Sequence, residues 1–376
     1  MLKNITDLNE ELILETVEKF SDVEIAPYWS YIDRTGNLPD RLFDKMVNLG
    51  LLSLTVPEEY GGVGANPDVA WKVIYELSKR SASIGCILEG HYKTVDQLKK
   101  YASSDLKEEY LPQANERIFG FSSTEPSGGT NIHTIRTVAT SEKEHWVLNG
   151  SKVMITNGSL AEVYCVIAKT SDDKFSCFLV DMKMPGFKFG PLEDFMGLRG
   201  CPVGTLFFDN IVLPKNYLLG KEGEGLIIGN SAHYDARIYM GGLLAGAVKH
   251  AMDVAIPYSL QRKSGSEFLA ELFPTQEKIS NVAITHENIL LLTRESVRLR
   301  NSGQNYANES TMIKAYGSKA AFKAIDDCIQ ILGGYGYSRE YPLEHILRDV
   351  RALQIMEGSY EKMMLEISNE VFQEYK

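Results

Sequence analysis

The sequence lacks any apolar run that approaches the roughly 20 residues a membrane-spanning helix needs. Its first twenty residues are acidic and amphipathic, without the basic start and short apolar centre of a signal peptide. We therefore expect neither a membrane span nor a targeting segment, and we expect a cytoplasmic location.

Cysteine and clustered basic residues are also scarce. The five cysteines are an odd number and form no CxxC pair, so the sequence indicates no disulfide framework. The seven histidines show no HxxxH or HxH spacing, so no metal site is predicted. A net charge of −11 without Lys and Arg clusters excludes a general nucleic-acid-binding protein.

Hydrophobic periodicity divides the 376 residues into three regions. Helical spacing runs through residues 1–118, short β-branched and aromatic runs fill 119–223, and helical spacing returns over 224–376. The pair Asn149-Gly150 separates two of the β-type runs and predicts a hairpin. This order predicts an α+β fold with domains at these boundaries.

Three motifs follow one another near the C-terminus: the glycine segment 330–337, a basic helix with Arg348-Asp349 and the acidic turn Glu357-Gly358-Ser359. This order resembles the acyl-CoA dehydrogenase family. The resemblance implies that Glu357 is the base that removes the α proton of an acyl thioester, with Gly358 beside the substrate. Taken alone, a Glu-Gly-Ser turn is a common loop.

Residues 119–131 contain Thr124-Glu125-Pro126 followed by a Gly-Gly-Thr turn, which resembles the family's flavin-binding signature. The alternative interpretation is a polar loop that enters a β domain. The resemblance implies FAD, because a flavin needs hydrogen bonds to its ring and exposed N–H groups for its pyrophosphate. It assigns these contacts to Phe121, Ser123, Thr124 and Thr130.

Residues 148–158 resemble the family's next flavin strand. Thr156 is retained, whereas Met154 stands where relatives usually place a tryptophan. Met154 either packs on the flavin ring through its polarizable thioether or fills the core of a strand.

The resemblance further implies residues that contact the cofactor of a neighbouring subunit, and hence a homodimer or homotetramer. Gly265-Ser266-Glu267 is interpreted as a small insertion into the family's motif, because the spacing from Phe268 to Gln276 is then preserved. Gly333-Gly334 taken alone would be a helix stop. The candidates for cofactor contact at the C-terminal end are Arg262, Phe268, Gln330, Gly333, Gly334, Ser359 and Glu361.

Residues 233–237 correspond to a family helix on which an acidic residue commonly precedes the arginine by three positions. Arg237 is kept, but Tyr234 takes the acidic position, and Asp235 replaces it if the register slips by one. Some relatives carry their base just before the arginine, where this chain has Ala236, which leaves Glu357. The candidates for substrate contact are therefore Tyr234, Asp235 and Arg237, and His233 lies beside them.

The resemblance implies a helical N-terminal domain, a central β-barrel and a C-terminal four-helix domain. It also implies that Glu357 needs an apolar site without an adjacent cation that would weaken it as a base. The substrate is a small acyl group on coenzyme A or, slightly favoured, on a carrier protein of polyketide or nonribosomal peptide pathways, such as those for methoxymalonyl or aminomalonyl units. An electron-accepting flavoprotein is a further expected partner. Other interpretations are a catabolic acyl-CoA dehydrogenase, an acyl oxidase or flavin monooxygenase, and a non-enzymatic helical assembly protein.

Overall fold

The computed structural model describes residues 8–129 and 131–376. Its N-terminal part is helical, as the periodicity predicts. Asn66 caps one helix through its side chain and Pro67 follows as the first helical residue, where its missing N–H costs nothing. The helices here are α1 (Glu10–Phe20), α2 (Trp29–Thr35), α3 (Leu42–Leu49), α4 (Pro67–Ser78), α5 (Ala82–Tyr101) and α6 (Ser104–Tyr110).

The middle part is one eight-stranded sheet with the order β6-β7-β3-β2-β4-β5-β8, in which β1 pairs in parallel with β4. Among the residues described, the end strands β6 and β8 do not pair, so the expected barrel is not closed by hydrogen bonds. The strands are β1 (Ile118–Ser122), β2 (Val138–Ser141), β3 (His145–Thr156), β4 (Ala161–Ser171), β5 (Lys174–Asp181), β6 (Phe187–Leu192), β7 (Val203–Pro214) and β8 (Leu218–Leu219).

The hairpin predicted at Asn149-Gly150 was wrong. Both residues lie inside β3, which runs through them with a bulge against β7. Gly150 has a φ of 145°, and a Cβ there would lie 2.5 Å from Thr137 Oγ1, so glycine serves close approach of Thr137, the residue before β2, rather than a turn.

The C-terminal part is helical again, and α7 packs against α4, α5, α8 and α10. A short hairpin of β9 (Lys263–Ser264) and β10 (Glu267–Phe268) follows α7. A π-helical turn over Ile313–Gly317 joins α9 to α10. The helices are α7 (Gly225–Gln261), α8 (Phe273–Asn301), α9 (Ala307–Met312), α10 (Ser318–Leu332), α11 (Leu343–Leu353) and α12 (Tyr360–Glu374).

The order of helical, sheet and helical parts is confirmed, while the boundary positions at 118 and 223 stay predictions. One apolar core extends from the N-terminal helices through the sheet to α7, α8, α10 and α11. Within the described ranges, no helix combines the length and the apolar character that a membrane span requires. Helix α5 is buried from Ala82 to Leu98, and it places charged side chains against the turn between α11 and α12.

Candidate active site

The turn between α11 and α12 holds Glu357 in an uncommon backbone conformation. Glu357 has a φ of 58° and Gly358 a φ of 100°. A Cβ on Gly358 would lie 2.7 Å from Met363 Cε and 3.4 Å from Arg237 Nη2, so the position needs glycine. The Ser359 side chain then caps α12 by accepting from Lys362 N at 3.3 Å. A non-glycine residue with positive φ costs about 1–3 kcal/mol, which favours a functional interpretation of this turn over a common loop.

Arg237 supports this turn from α7. Its Nε and Nη2 each donate to the Glu357 carbonyl at 3.3 Å, and Nη1 donates to Thr311 Oγ1 at 2.8 Å. Its guanidinium also lies 3.2 Å from Glu366. Burial lowers the pKa of Arg237 from its ordinary value. Arg237 therefore positions the Glu357 turn, and its predicted contact with substrate stays a prediction.

Both carboxylate oxygens of Glu357 have cationic or titratable partners. Lys93 Nζ of α5 lies 2.5 Å from Oε1, and His233 Nδ1 of α7 lies 2.7 Å from Oε2. Burial by itself would raise the pKa of Glu357, but Lys93 and His233 hold that pKa well below its usual range. The prediction that no cation lies beside this base was wrong, because the buried face of α5 brings Lys93 to it.

A second carboxylate lies one helical turn before Lys93. Glu89 is completely buried, and its Oε1 lies 3.2 Å from Lys93 Nζ. Burial raises the pKa of Glu89 to about 7, because the charged form loses its solvation. The sequence carried a signal for this pair: two opposite charges spaced i, i+4 within a stretch of α5 in which every neighbour is buried.

The proposed one-residue shift that would place Asp235 at the substrate is contradicted by its contacts. Asp235 is fully buried and pairs with Lys100 at 2.6 Å and Arg300 at 3.3 Å, and it accepts hydrogen bonds from Gln97 and Tyr306. One residue along an α-helix rotates the side chain by about 100°, which turns Asp235 into this cluster.

Tyr234, the preceding residue on α7, lies instead beside Arg237. The Arg237 guanidinium carbon is 5.4 Å from the centre of the Tyr234 ring. The Ala236 side chain, at the alternative position for a base, is completely buried. Of the three predicted substrate contacts on α7, only Tyr234 and Arg237 lie next to the Glu357 turn.

The predicted flavin residues of the β region are brought together by a buried ion pair. Lys152 Nζ of β3 donates to Glu125 Oε1 at 2.7 Å and to the Ser123 carbonyl at 3.1 Å. Val153 N donates to the Thr124 carbonyl at 3.0 Å, which joins the loop after β1 to β3. Burial lowers the pKa of Lys152 to about 8. Sequence reasoning missed Lys152, although a lysine amid strand residues was its visible signal.

Within this region Phe121 is the penultimate residue of β1, close to the loop with Ser123 and Thr124, and Thr156 ends β3. Met154 has a φ of 58° and is 50% exposed, so the alternative that it fills the core is wrong. Thr130 lies outside the described residues.

The glycine segment after α10 borders a surface cavity of about 580 Å³. Arg262, Gln330, Gly333 and Gly334 all line it, so four of the predicted partner-subunit residues come together there. Phe268 does not line the cavity. It lies in the β9–β10 hairpin, under the ammonium of Lys263 at 4.7 Å from the ring centre. The three residues interpreted as an insertion form the turn and second strand of that hairpin.

Comparison with known proteins agrees with this geometry. Models of the acyl-CoA dehydrogenase N-terminal, middle and C-terminal domains match residues 7–117, 120–211 and 223–372. An acyl-CoA dehydrogenase of Bacillus subtilis (strain 168) is 35% identical over 364 residues, which cover 95% of this chain and 96% of that protein. This chain belongs to the acyl-CoA dehydrogenase family. It is therefore an oxidoreductase of the kind that acts on the CH–CH bond of acyl thioesters and depends on FAD.

Solved structures show the same fold. Butyryl-CoA dehydrogenase from Megasphaera elsdenii is 27% identical with a TM-score of 0.93, covering 97% of this chain and 100% of that one. The prolyl acyl carrier protein oxidase AnaB has a TM-score of 0.92 over 96% of this chain and 98% of its own. Its identity is 22%, which shows the fold alone.

The residues present fit FAD. A Cβ on Gly129 would lie 3.2 Å from Thr124 Cγ2, so the loop after β1 is tight and leaves its backbone accessible. Gly333 and Gly334 have open space where a Cβ would be, on the wall of the 580 Å³ cavity. Thr124 and Thr156 would hold the flavin end, and Arg262 and Gln330 would hold the cofactor of a neighbouring subunit.

Proposed function

We propose that this chain oxidises the α,β bond of a small acyl thioester, with Glu357 as the base. The observation that carries the proposal is the placement of its carboxylate. It is buried, it stands on a turn with positive φ, and α5, α7 and the α11–α12 turn converge on it. Strained backbone that is held by its surroundings is typical of sites where a group must be pre-positioned.

Glu357 takes the α proton on Oε2 after His233 moves away. His233 is 29% exposed, whereas Lys93 is 6% exposed, so the entering substrate meets His233 first. The N–H of Glu357 donates to the thioester carbonyl and stabilises the enolate-like charge, and Arg237 restrains the turn that carries this N–H by binding the Glu357 carbonyl. When bound, FAD supplies the acceptor for the hydride that leaves the β carbon.

Glu357→Gln tests this role. The variant keeps the shape of the side chain and removes the base, so bound flavin and fold should be retained while reduction of the flavin by substrate is lost by roughly 10⁴-fold. Single-turnover reduction of the flavin-loaded protein measures it, with the visible flavin spectrum as control for the site. Reduction at the wild-type rate would assign the proton to another residue.

For the substrate carrier, we propose a carrier protein in the biosynthesis of a secondary metabolite. Tyr234 replaces the usual acidic residue, and the ion cluster around Asp235 removes the nearest substitute. Recognition through the surface of a carrier protein would relieve the tunnel of this task. The second candidate is an acyl-CoA dehydrogenase of catabolism. It is favoured by the Bacillus relative at 35% identity and by the butyryl-CoA dehydrogenase fold match.

Flavin reduction by one acyl group on coenzyme A and on a carrier protein separates the two. Faster reduction by the carrier-bound form, by roughly 10-fold or more, supports the carrier. Equal or faster reduction by acyl-CoA contradicts it and leaves the catabolic enzyme.

Two further partners belong to this proposal. The exposed cavity at Arg262, Gln330 and Gly333-Gly334 would receive the cofactor of a neighbouring subunit, which supports a homodimer or homotetramer. The exposed Met154 beside the flavin strand supports an electron-accepting flavoprotein as partner. Rapid reaction of the reduced protein with oxygen would favour an acyl oxidase or monooxygenase, and a protein that does not take up FAD would favour an assembly role.

A further inference from the structure

Four titratable side chains form a chain that runs inward from the substrate side. His233 contacts Glu357, Glu357 contacts Lys93, and Lys93 contacts Glu89, at 2.7, 2.5 and 3.2 Å. The exposed fraction of these side chains falls in the same order, from 29% through 7% and 6% to 0%. The closed end of the site is therefore polar, although acyl chains are apolar.

Hydrogen bonding at this closed end is incomplete. Lys93 has three donors, and among its two carboxylate neighbours only Glu357 accepts a hydrogen bond with regular geometry, so donors of Lys93 are spare. Neither oxygen of Glu89 accepts a hydrogen bond with regular geometry from any residue in the described ranges, although Glu89 is completely buried. Leaving such a group unsatisfied destabilises the folded protein. A ligand with both a donor and an acceptor would complete the pair.

The pair also lies between the base and the predicted flavin strand. Gly90, next to Glu89, faces the end of β3: a Cβ there would lie 3.0 Å from Asn157 Nδ2 and 3.3 Å from Thr156 Cγ2. Lys93 touches the base itself. An acyl group whose α carbon faces Glu357 therefore has its far end near this pair.

We propose that Lys93 and Glu89 bind a hydroxyl group on the distal carbon of a short acyl chain. The hydroxyl accepts a hydrogen bond from Lys93 and donates one to Glu89. This inference rests on the proposed function, since it needs the acyl chain beside Glu357. An alkyl end would leave Glu89 unsatisfied, a carboxylate would face Glu89 and Glu357 as a third anion, and an ammonium would face Lys93.

Binding to the flavin-loaded Glu357→Gln protein tests the subsite without chemistry. The ligands are butyryl, 4-hydroxybutyryl and succinyl thioesters of pantetheine, the arm that coenzyme A and carrier proteins share. We expect 4-hydroxybutyryl to bind roughly 10- to 100-fold more tightly than butyryl, and more tightly than succinyl, whose carboxylate still faces Glu89 in this variant. Butyryl equal to or tighter than 4-hydroxybutyryl would overturn the proposal. Tightest binding of succinyl would also overturn it and make Lys93 an anion site.

The same ligands given to wild-type protein separate this proposal from the proposed function. Preferential binding of 4-hydroxybutyryl without its oxidation would contradict the dehydrogenase and leave the subsite in place. Oxidation of all three ligands at similar kcat/KM would support the dehydrogenase and contradict the subsite.

Two variants assign the preference to Glu89. Glu89→Leu removes the acceptor and should reduce the preference for 4-hydroxybutyryl over butyryl to within about 3-fold. Glu89→Gln keeps an acceptor of the same shape and should retain most of it. Full preference in Glu89→Leu would overturn the assignment. If Glu89→Leu does not take up FAD, binding of the three pantetheine thioesters to Glu357→Gln still tests the proposal.

Discussion

Two buried lysine–glutamate pairs in this molecule differ in how completely they are satisfied. At the flavin loop, Glu125 accepts from Arg136 N, Thr137 N and Lys152, and Lys152 also donates to a backbone carbonyl. At the base, Lys93 lies between Glu89 and Glu357, and Glu89 receives no regular hydrogen bond from the described residues. The first pair is complete without a ligand and the second is not. We interpret the pair whose hydrogen bonds the protein satisfies as structural, and the pair with unsatisfied groups as one that a substrate completes.

The pKa values of the two lysines also differ. Burial lowers the pKa of Lys152 to about 8, because Glu125 offsets the loss of solvation only in part. Burial also acts on Lys93, but two carboxylates outweigh it and raise the pKa of that lysine. Lys93 therefore stays charged and depresses the pKa of Glu357, whereas Lys152 serves mainly to hold a loop.

The largest effect is expected from breaking the complete pair. Lys152→Met leaves Glu125 as a buried charge without its cation, which costs about 3–5 kcal/mol of unfolding free energy. It also frees the carbonyl of Ser123, so FAD retention should fall. Urea unfolding and the flavin content after gel filtration measure both. The double variant Glu125→Gln with Lys152→Met is the matched control, and a loss equal to that of the single variant would show that the buried charge is not the cause.

At the base, Lys93→Met should change activity through the pKa of Glu357. Without the ammonium, burial and Glu89 both raise the pKa of Glu357, so the acid limb of kcat/KM moves to higher pH by about one unit or more. The loss of activity should therefore be confined to the acid limb and should be small near neutral pH.

Lys93→Arg keeps the cation and is the matched control, which should preserve the wild-type profile. An unchanged acid limb in Lys93→Met would mean that Lys93 does not tune this base.

The contrast between the pairs also marks how far the sequence was informative. Periodicity predicted helices, strands and helices, because burial of one face repeats along the chain. The motif around Glu357 predicted the turn that the structure holds in a strained conformation. Asn149-Gly150 failed as a hairpin because strand pairing with β2 and β7 outweighed local turn preference.

Side-chain direction was the part that the sequence did not determine. Asp235 and Tyr234 are neighbours on α7, yet one enters a buried ion cluster and the other lies over Arg237. Lys93 is distant in sequence from Glu357, and only the packing of α5 on the C-terminal helices brings the two together. Such contacts depend on how helices are rotated against one another, which periodicity within one helix leaves open.

The smallest expected effect is on the pH dependence of stability, and there the carboxylates of the two pairs differ most clearly. Glu89 has its pKa raised from 4.5 to about 7 in the folded state, so the folded protein binds the extra proton between these values. Its contribution to stability therefore falls as pH rises from about 4.5 to about 7. Glu125 has a lowered pKa in the folded state, although burial alone would raise it. The contribution of Glu125 to stability is present above pH 4.5 and is lost as the pH falls below this value.

Glu89→Gln should thus gain stability relative to wild type as pH rises, by about 1–3 kcal/mol near pH 8. Glu125→Gln should lose stability relative to wild type, and this loss should be largest above the ordinary pKa of a glutamate. Urea midpoints of the flavin-loaded proteins from about pH 3 to about pH 8 give both curves. The opposite slopes follow because Glu89 is desolvated without a full set of partners, while Glu125 has them. A Glu89→Gln curve parallel to wild type would place Glu89 with the satisfied carboxylates and remove the contrast between the two pairs.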